Sequence, residues 1–207
     1  MRYITPEQAG ISSKHVLAFY KELDADHLST HGVILSRGGS FFSECYYAPF
    51  HKDFKHRMYS VSKSFVSVAI GFCEQDGLLN LDDPLNKYFP EYAETARRHT
   101  GTIRQFLKMS TAVQTGRKWF YSGTTDRVAA YFENEPQKFP GTIYSYDSSG
   151  SFILCALVER VTGKRILDYL QEKVLRVTGF SADADFLRCP GGHSWGDSGL
   201  LCTSRDL

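Results

Sequence analysis

Several features that would point to particular classes of protein are missing from this sequence. No apolar run approaches the length of a membrane-spanning helix, and the amino terminus has no apolar core of the kind that a signal peptide needs. The net charge is only +1, so nothing in the composition implies a polyanionic partner such as nucleic acid. No internal repeat is found either. These absences favour an ordinary globular protein without a membrane span.

The cysteines and histidines indicate neither a disulfide framework nor a metal site. The five cysteines are an odd number without paired spacing, and Cys73 and Cys155 fall in apolar helical patterns that predict buried side chains. We therefore expect a reducing compartment and a cytoplasmic location, the alternative being a secreted form whose leader has been removed. His51 and His56 have no accompanying cysteine or carboxylate cluster, so the sequence predicts no metal site and implies no organic cofactor.

Local patterns predict one early hairpin followed by a mostly helical body. The β-branched and aromatic runs at residues 31–36 and 41–47 flank turn residues, which is typical of a hairpin. A preceding helix is expected to run from a cap at Ser12 or Ser13 to about Leu23. Further helices are predicted at residues 65–73, 102–109, 126–132, 152–161 and 166–175. From residue 181 onward the pattern indicates irregular structure.

Residues 59–65 (YSVSKSF) are the most suggestive stretch for chemistry. Ser60 precedes Lys63 by three positions at the start of an apolar helical pattern, so the hydroxyl and the amine would share one helix face. An amine that takes the proton of a serine hydroxyl makes it a nucleophile. The spacing alone favours a simpler interpretation, a serine that caps a helix and a solvated lysine one turn later.

Five stretches in the same order resemble the serine β-lactamase and penicillin-binding-protein family, in its class C and esterase-like branch. They extend over most of the chain, and several weak motifs in register are more specific than any one of them. The stretches are residues 59–65 (YSVSKSF), 77–85 (GLLNLDDPL), 102–110 (TIRQFLKMS), 140–150 (PGTIYSYDSSG) and 199–207 (GLLCTSRDL).

The resemblance implies a role for each of four residues. Ser60 would be the acylated nucleophile, Lys63 its proton acceptor and Tyr146 the group that carries a proton to the leaving group. Ser148 would contribute to substrate binding, in a position where the family usually has asparagine, and this departure makes penicillin-type recognition less expected than hydrolysis itself. Tyr121, followed by a serine and a glycine, is an alternative to Tyr146.

The fold implied by the resemblance is α/β, of the α+β type. We expect one β-lactamase/transpeptidase-like domain over residues 1–207, with a sheet part at residues 1–58, a helical part at residues 59–207 and the active site at their junction. The family's third motif, Lys-Thr-Gly or His-x-Gly, lies on a late strand well after the segment that residues 199–207 resemble, and no Lys-Thr-Gly is found here. The chain is therefore expected to be the first part of a longer enzyme or to complete its sheet by self-association.

The function implied is a serine hydrolase that acts on a small-molecule ester, amide or β-lactam through an acyl-enzyme. The alternative is a catalytically incomplete fragment or binding module that keeps the fold without turnover. A third interpretation starts from residues 196–199 (GDSG), which match the nucleophile motif of trypsin-like proteases. Those proteases are all-β and need a histidine in a setting that this helix-rich chain lacks, so a flexible Gly-Ser loop is the better interpretation of this segment.

Overall fold

The computed structural model describes residues 2–113, 119–120 and 123–207 of the chain. The chain divides into two compact units, which are treated separately below. The first unit consists of residues 1–56 together with residues 202–207, and the second consists of residues 57–201. Tyr121, the alternative to Tyr146, lies outside the described residues.

The first unit is a helix and a small three-stranded sheet. Its elements are β1 (Arg2–Tyr3), α1 (Ser13–Ala25), β2 (Gly32–Arg37), β3 (Ser40–Tyr46) and a 3₁₀ turn at Ser204–Asp206; β4 (His56–Arg57) contains the point of division. β2 and β3 pair antiparallel as the predicted hairpin, and β1 adds to β3 in parallel. Gly38 and Gly39 form the connection with φ of +56° and +73°, a conformation that glycine adopts without steric cost.

The second unit is mainly helical. Its helices are α2 (Ser62–Gln75), α3 (Ala93–Ala96), α4 (Ile103–Leu107), α5 (Arg127–Phe132), α6 (Ser148–Thr162), α7 (Ile166–Leu170) and α8 (Arg176–Thr178), with a π-helical turn at Gln171–Leu175 and 3₁₀ turns at Tyr59–Val61, Leu85–Tyr88 and Pro90–Tyr92. Two short strands, β5 (Asp185–Phe186) and β6 (Leu200–Cys202), pair antiparallel. Within the described ranges, no helix is both long and apolar enough to cross a membrane.

The core of the second unit forms where α2 packs against α6. The buried side chains Val66, Ala69, Ile70 and Cys73 follow the i, i+3, i+4, i+7 spacing of one helix face, as the sequence predicts. α6 is buried continuously from Ser149 to Val158, which is the pattern of a central helix surrounded by other elements. Burial of the apolar face of α2 fixes the direction in which its first turn, with Lys63, points.

The start of α6 and the chain after residue 181 differ from the sequence predictions. α6 begins at Ser148, one turn before the predicted start at residue 152, because the Asp147 side chain accepts hydrogen bonds from the backbone N–H groups of Ser149 and Gly150, both at 3.0 Å. The chain after residue 181 is also more regular than predicted. It holds β5 and β6, which are too short to show an alternating pattern in the sequence.

Candidate active site

Ser60 lies in the 3₁₀ turn that leads directly into α2. The residue before it, Tyr59, has φ of +45°, in the left-handed region that is unfavourable for residues other than glycine. Its side chain is also largely exposed, so packing does not explain the conformation. Strained backbone of this kind is found preferentially at functional sites. The turn presents Ser60 with an exposed side chain.

Lys63 lies one turn after Ser60, at the second residue of α2. Its Nζ is 3.1 Å from Ser60 Oγ, within hydrogen-bond distance, as expected for residues three positions apart on one helix face. Lys63 Nζ also donates a hydrogen bond to the backbone carbonyl oxygen of Asp197 at 2.7 Å. The amine is thus held between the serine hydroxyl and a fixed acceptor.

Tyr146 approaches the serine from the segment that precedes α6. Its phenol oxygen is 2.6 Å from Ser60 Oγ, and Lys63 Nζ lies 5.1 Å from the centroid of its ring. The capping hydrogen bonds of Asp147 hold the adjacent residue against the start of α6. A serine hydroxyl, an amine and a phenol are therefore within one hydrogen-bonded group.

The electrostatic environment of this group favours the phenolate. Partial burial acts to raise the pKa of the Tyr146 phenol, but hydrogen bonds from Lys63 and Ser60 and the positive charge of Lys63 outweigh it, so that the pKa lies below its ordinary value. Ser148 contributes a smaller effect in the same direction through its own hydrogen bond. A phenol with a lowered pKa can exchange protons more readily near neutral pH.

The four residues predicted from the sequence are therefore placed as follows. Ser60, Lys63 and Tyr146 are brought together, and Ser148 lies beside Tyr146 at the start of α6. Their catalytic roles stay predictions at this point.

Asp197 belongs to the same constellation but was not a predicted site residue. Its segment is a loop, as interpreted from the sequence, with turns at residues 196–198, but the loop is buried: Asp197 is 1% exposed and the neighbouring Gly196 is also buried. Asp197 lies 134 positions from Lys63 in the sequence, so no local spacing rule connects the two. A signal was present only in the placement of a charged residue within a small-residue segment just before a short apolar strand.

Comparisons with known proteins identify the family of the chain. The family model described as Beta-lactamase matches residues 19–185. A 6-aminohexanoate-dimer hydrolase of Paenarthrobacter ureafaciens is 26% identical over 197 residues, covering 86% of this chain and 50% of the relative. The chain thus spans about half the length of this curated relative.

Solved structures show the same fold. An octameric penicillin-binding protein homologue from Pyrococcus abyssi has a TM-score of 0.73 and 19% identity, covering 95% of this chain and 55% of that one. EstCE1, a hydrolase with promiscuous acyltransferase activity, has a TM-score of 0.74 and 16% identity, covering 94% of this chain and 70% of that one. The fold is the β-lactamase/transpeptidase-like α/β fold that the resemblance implied, and the chain belongs to the serine β-lactamase and penicillin-binding-protein family.

Proposed function

We propose that this chain carries the acylation chemistry of a serine hydrolase, with Ser60 as nucleophile, Lys63 as base and Tyr146 as proton carrier. The observation that supports the proposal most directly is the position of Ser60 Oγ, which is 3.1 Å from Lys63 Nζ and 2.6 Å from the Tyr146 phenol oxygen. A hydroxyl between an amine and a phenol can lose its proton to one and return it through the other.

The acylation step follows from these contacts. Lys63 takes the proton of Ser60 as Oγ forms a bond to the carbonyl carbon of the substrate, and the carbonyl oxygen becomes negatively charged. The family resemblance implies that the backbone N–H of Ser60 donates a hydrogen bond to that oxygen. As the bond to the leaving group breaks, Tyr146 protonates the departing atom and recovers a proton from Lys63. The net result is the transfer of one proton from Ser60 to the leaving group, with Lys63 and Tyr146 returned to their starting protonation states.

Hydrolysis of the acyl-enzyme uses the same groups in reverse. Water gives a proton to the Tyr146–Lys63 pair as it attacks the acyl carbon, and Ser60 recovers a proton as it leaves. The lowered pKa of Tyr146 supports this use of the phenol, since a group that both accepts and donates works best with a pKa near the working pH.

The substrate is proposed to be a small ester, amide or lactam. The names of the relatives favour an amide as the first choice, because one is a 6-aminohexanoate-dimer hydrolase, and an ester as the second, because EstCE1 is described as a hydrolase with acyltransferase activity. A substrate screen should therefore include the 6-aminohexanoate dimer, short p-nitrophenyl esters, nitrocefin and a D-Ala-D-Ala peptide.

Covalent labelling tests the nucleophile independently of the substrate. A fluorophosphonate probe should label the wild-type chain at Ser60, as located by peptide mass spectrometry, and Ser60→Ala should abolish the labelling. Ser64→Ala is the matched control, because Ser64 is an exposed serine four residues later, in α2. Labelling of Ser60→Ala at the wild-type level would refute the assignment.

A second candidate is a binding module that is acylated without turnover. The serine at position 148, where the family resemblance leads us to expect asparagine, favours it, since a hydroxyl lacks the fixed donor and acceptor of an amide. The two candidates separate in one experiment. Labelling with product release supports the hydrolase, and labelling that consumes one equivalent of ester without further release supports the binding module.

A further inference from the structure

The main chain of Leu200 contacts the nucleophile segment on both sides of Ser60. On one side, the backbone N–H of Met58 donates a hydrogen bond to the carbonyl oxygen of Leu200 at 2.8 Å. On the other side, the backbone N–H of Leu200 donates a hydrogen bond to Ser62 Oγ at 3.1 Å. The two peptide groups of one residue therefore hold both ends of the turn at residues 58–62, and the proposed nucleophile lies at its centre.

The contact between Ser62 and Leu200 lies in the interior of the second unit. Both residues are 0% exposed, although serine is a polar residue. Leu200 is the first residue of β6 and pairs with Phe186 of β5, so its main chain belongs to a hydrogen-bonded ladder. A buried backbone N–H that lacks an acceptor costs free energy, and the Ser62 hydroxyl satisfies this one. The side chain of Ser62 thus joins the start of α2 to a strand that other contacts hold in place.

The turn that is held in this way contains the strained residue Tyr59, whose φ is +45°. Its side chain is 64% exposed, and its ring centroid lies 5.0 Å from Cζ of the exposed Arg57, so the side chain is not anchored in the core. Backbone strain of this kind persists only where surrounding contacts enforce it. The hydrogen bonds to Leu200 lie one residue before Tyr59 and three residues after it, and they supply such enforcement from outside the turn.

We propose that Ser62 is a positioning residue for the nucleophile. Its hydroxyl accepts the Leu200 N–H and thereby holds the strained turn, so that Ser60 Oγ stays between Lys63 and Tyr146. This inference rests on the proposed function and adds to it a residue that acts through the backbone of the turn. Because Ser62 is fully buried, a substrate bound at Ser60 does not contact it.

The physical reason is that the backbone of the turn sets the distances on which the chemistry depends. Ser60 Oγ lies 3.1 Å from Lys63 Nζ and 2.6 Å from the Tyr146 phenol oxygen. A shift of about 1 Å would take the hydroxyl beyond hydrogen-bond distance of one of these groups. When Ser62 no longer accepts the Leu200 N–H, the backbone of the strained residue is free to relax, and its relaxation displaces the serine that follows it.

The test is fluorophosphonate labelling of Ser62→Ala over a range of probe concentrations, at a temperature where the variant is folded. The substitution removes the hydroxyl that accepts from Leu200. We expect the maximal labelling rate to fall by about ten- to a hundredfold, because a misplaced reacting group loses about that much. The probe concentration that gives half the maximal rate should stay within about twofold of the wild-type value, since Ser62 does not contact the probe. Ile70→Val is the control, because it destabilises the same helix at a buried position and should leave the maximal rate unchanged.

A second substitution separates positioning of the turn from a general loss of stability. Tyr59→Gly removes the backbone strain, because glycine adopts a positive φ without steric cost. When Ser62→Ala is added to Tyr59→Gly, we expect the maximal labelling rate to fall by no more than about threefold, since the two sites are coupled through the strain. An equal fall in the presence and absence of Tyr59→Gly would overturn the inference, because a purely structural hydrogen bond would be lost alike in both.

A further variant covers the case in which Ser62→Ala does not fold. Ser62→Cys keeps a weaker acceptor at the same position, so the maximal rate should fall by a smaller factor, about three- to tenfold. A wild-type maximal rate in whichever of the two variants folds would overturn the inference alone, provided that Ser60→Ala abolishes labelling. If Ser60→Ala is still labelled, the proposed function fails and this inference fails with it.

Discussion

The phenol oxygen of Tyr146 lies 2.6 Å from Ser60 Oγ, although 86 positions separate the two residues in the sequence. The contact joins the residue before the cap of the central helix α6 to the turn before α2, and those two helices pack against each other in the core of the second unit. The short distance is therefore a consequence of core packing. The position of the Tyr146 ring is expected to persist in a variant that removes only the phenol hydroxyl.

Tyr146→Phe tests whether this hydroxyl takes part in proton transfer. We expect the rate of ester hydrolysis to fall by about 10²–10⁴, since general acid–base groups typically contribute that much. The ring and its packing are retained, so the thermal unfolding midpoint should change little. Tyr144→Phe is the control, because Tyr144 is exposed and lies two residues earlier on the same segment. Equal rates for the two variants would contradict the assignment of Tyr146.

Lys63→Met tests the electrostatic link between the amine and the phenol. Hydrogen bonding and positive charge from Lys63 lower the pKa of Tyr146, so the variant should raise that pKa. The measurement is ultraviolet titration of tyrosinate, taking the difference between each protein and its own Tyr146→Phe partner. Lys108→Met removes an exposed lysine of the same unit and should leave the titration unchanged. A Tyr146 titration that is identical in both variants would rule out the link.

Short-range spacing made part of this site predictable. Ser60 and Lys63 meet because residues three apart share a helix face, a rule that needs only the local sequence. Tyr146 was placed by resemblance, since a contact across 86 positions has no local signature. Asp197 escaped prediction because a small-residue segment is ordinarily a loop, and only tertiary packing shows that this one is buried.

The helix and strand boundaries were likewise predictable where local sequence determines them and not where tertiary packing does. The hairpin and the buried face of α2 were predictable because they repeat with periods of two and 3.6 residues. The start of α6 was placed a turn too late, since Ser148, Ser149 and Gly150 are weak helix formers whose helical state depends on the Asp147 cap and on burial. Local preference is a weak guide where a cap and tertiary packing act together.

Gly196→Ala tests the rigid support of Asp197. The new Cβ would lie 2.3 Å from Cys155 Cβ and 2.6 Å from its Sγ, and Cys155 is fully buried on α6. We expect a loss of about 1–3 kcal/mol in the free energy of unfolding, together with slower labelling of Ser60. Gly71→Ala is the control, because its Cβ would meet nothing within 4 Å on α2, and alanine in a helix is worth about 0.5–1 kcal/mol over glycine. Equal stability of the two variants in denaturant titrations would show that the segment can shift.

In the first unit, the ion pair of Glu44 and Arg205 allows a prediction about stability that does not depend on the proposed function. Arg205 donates to the two carboxylate oxygens of Glu44 at 2.6 and 2.7 Å, and Tyr3 donates a third hydrogen bond at 3.1 Å. Hydrogen bonding from Arg205 lowers the pKa of Glu44 from its ordinary value of 4.5 to about 2. Because the arginine side chain is 37% exposed, solvent screening limits the expected effect of Glu44→Gln to about 1–2 kcal/mol of unfolding free energy.

The sign of the pH dependence follows from the lowered pKa. The folded state holds Glu44 ionised, so the contribution is fully present above the unfolded pKa near 4.5 and is lost as the pH falls towards about 2. Urea titrations should therefore show a stability difference between wild type and Glu44→Gln at neutral pH that shrinks across this interval. Glu22→Gln, at an exposed position on α1, should match wild type throughout. A difference that stays constant down to the acid end would mean that Glu44 stabilises the unit by packing, because only a charge-dependent contribution disappears on protonation.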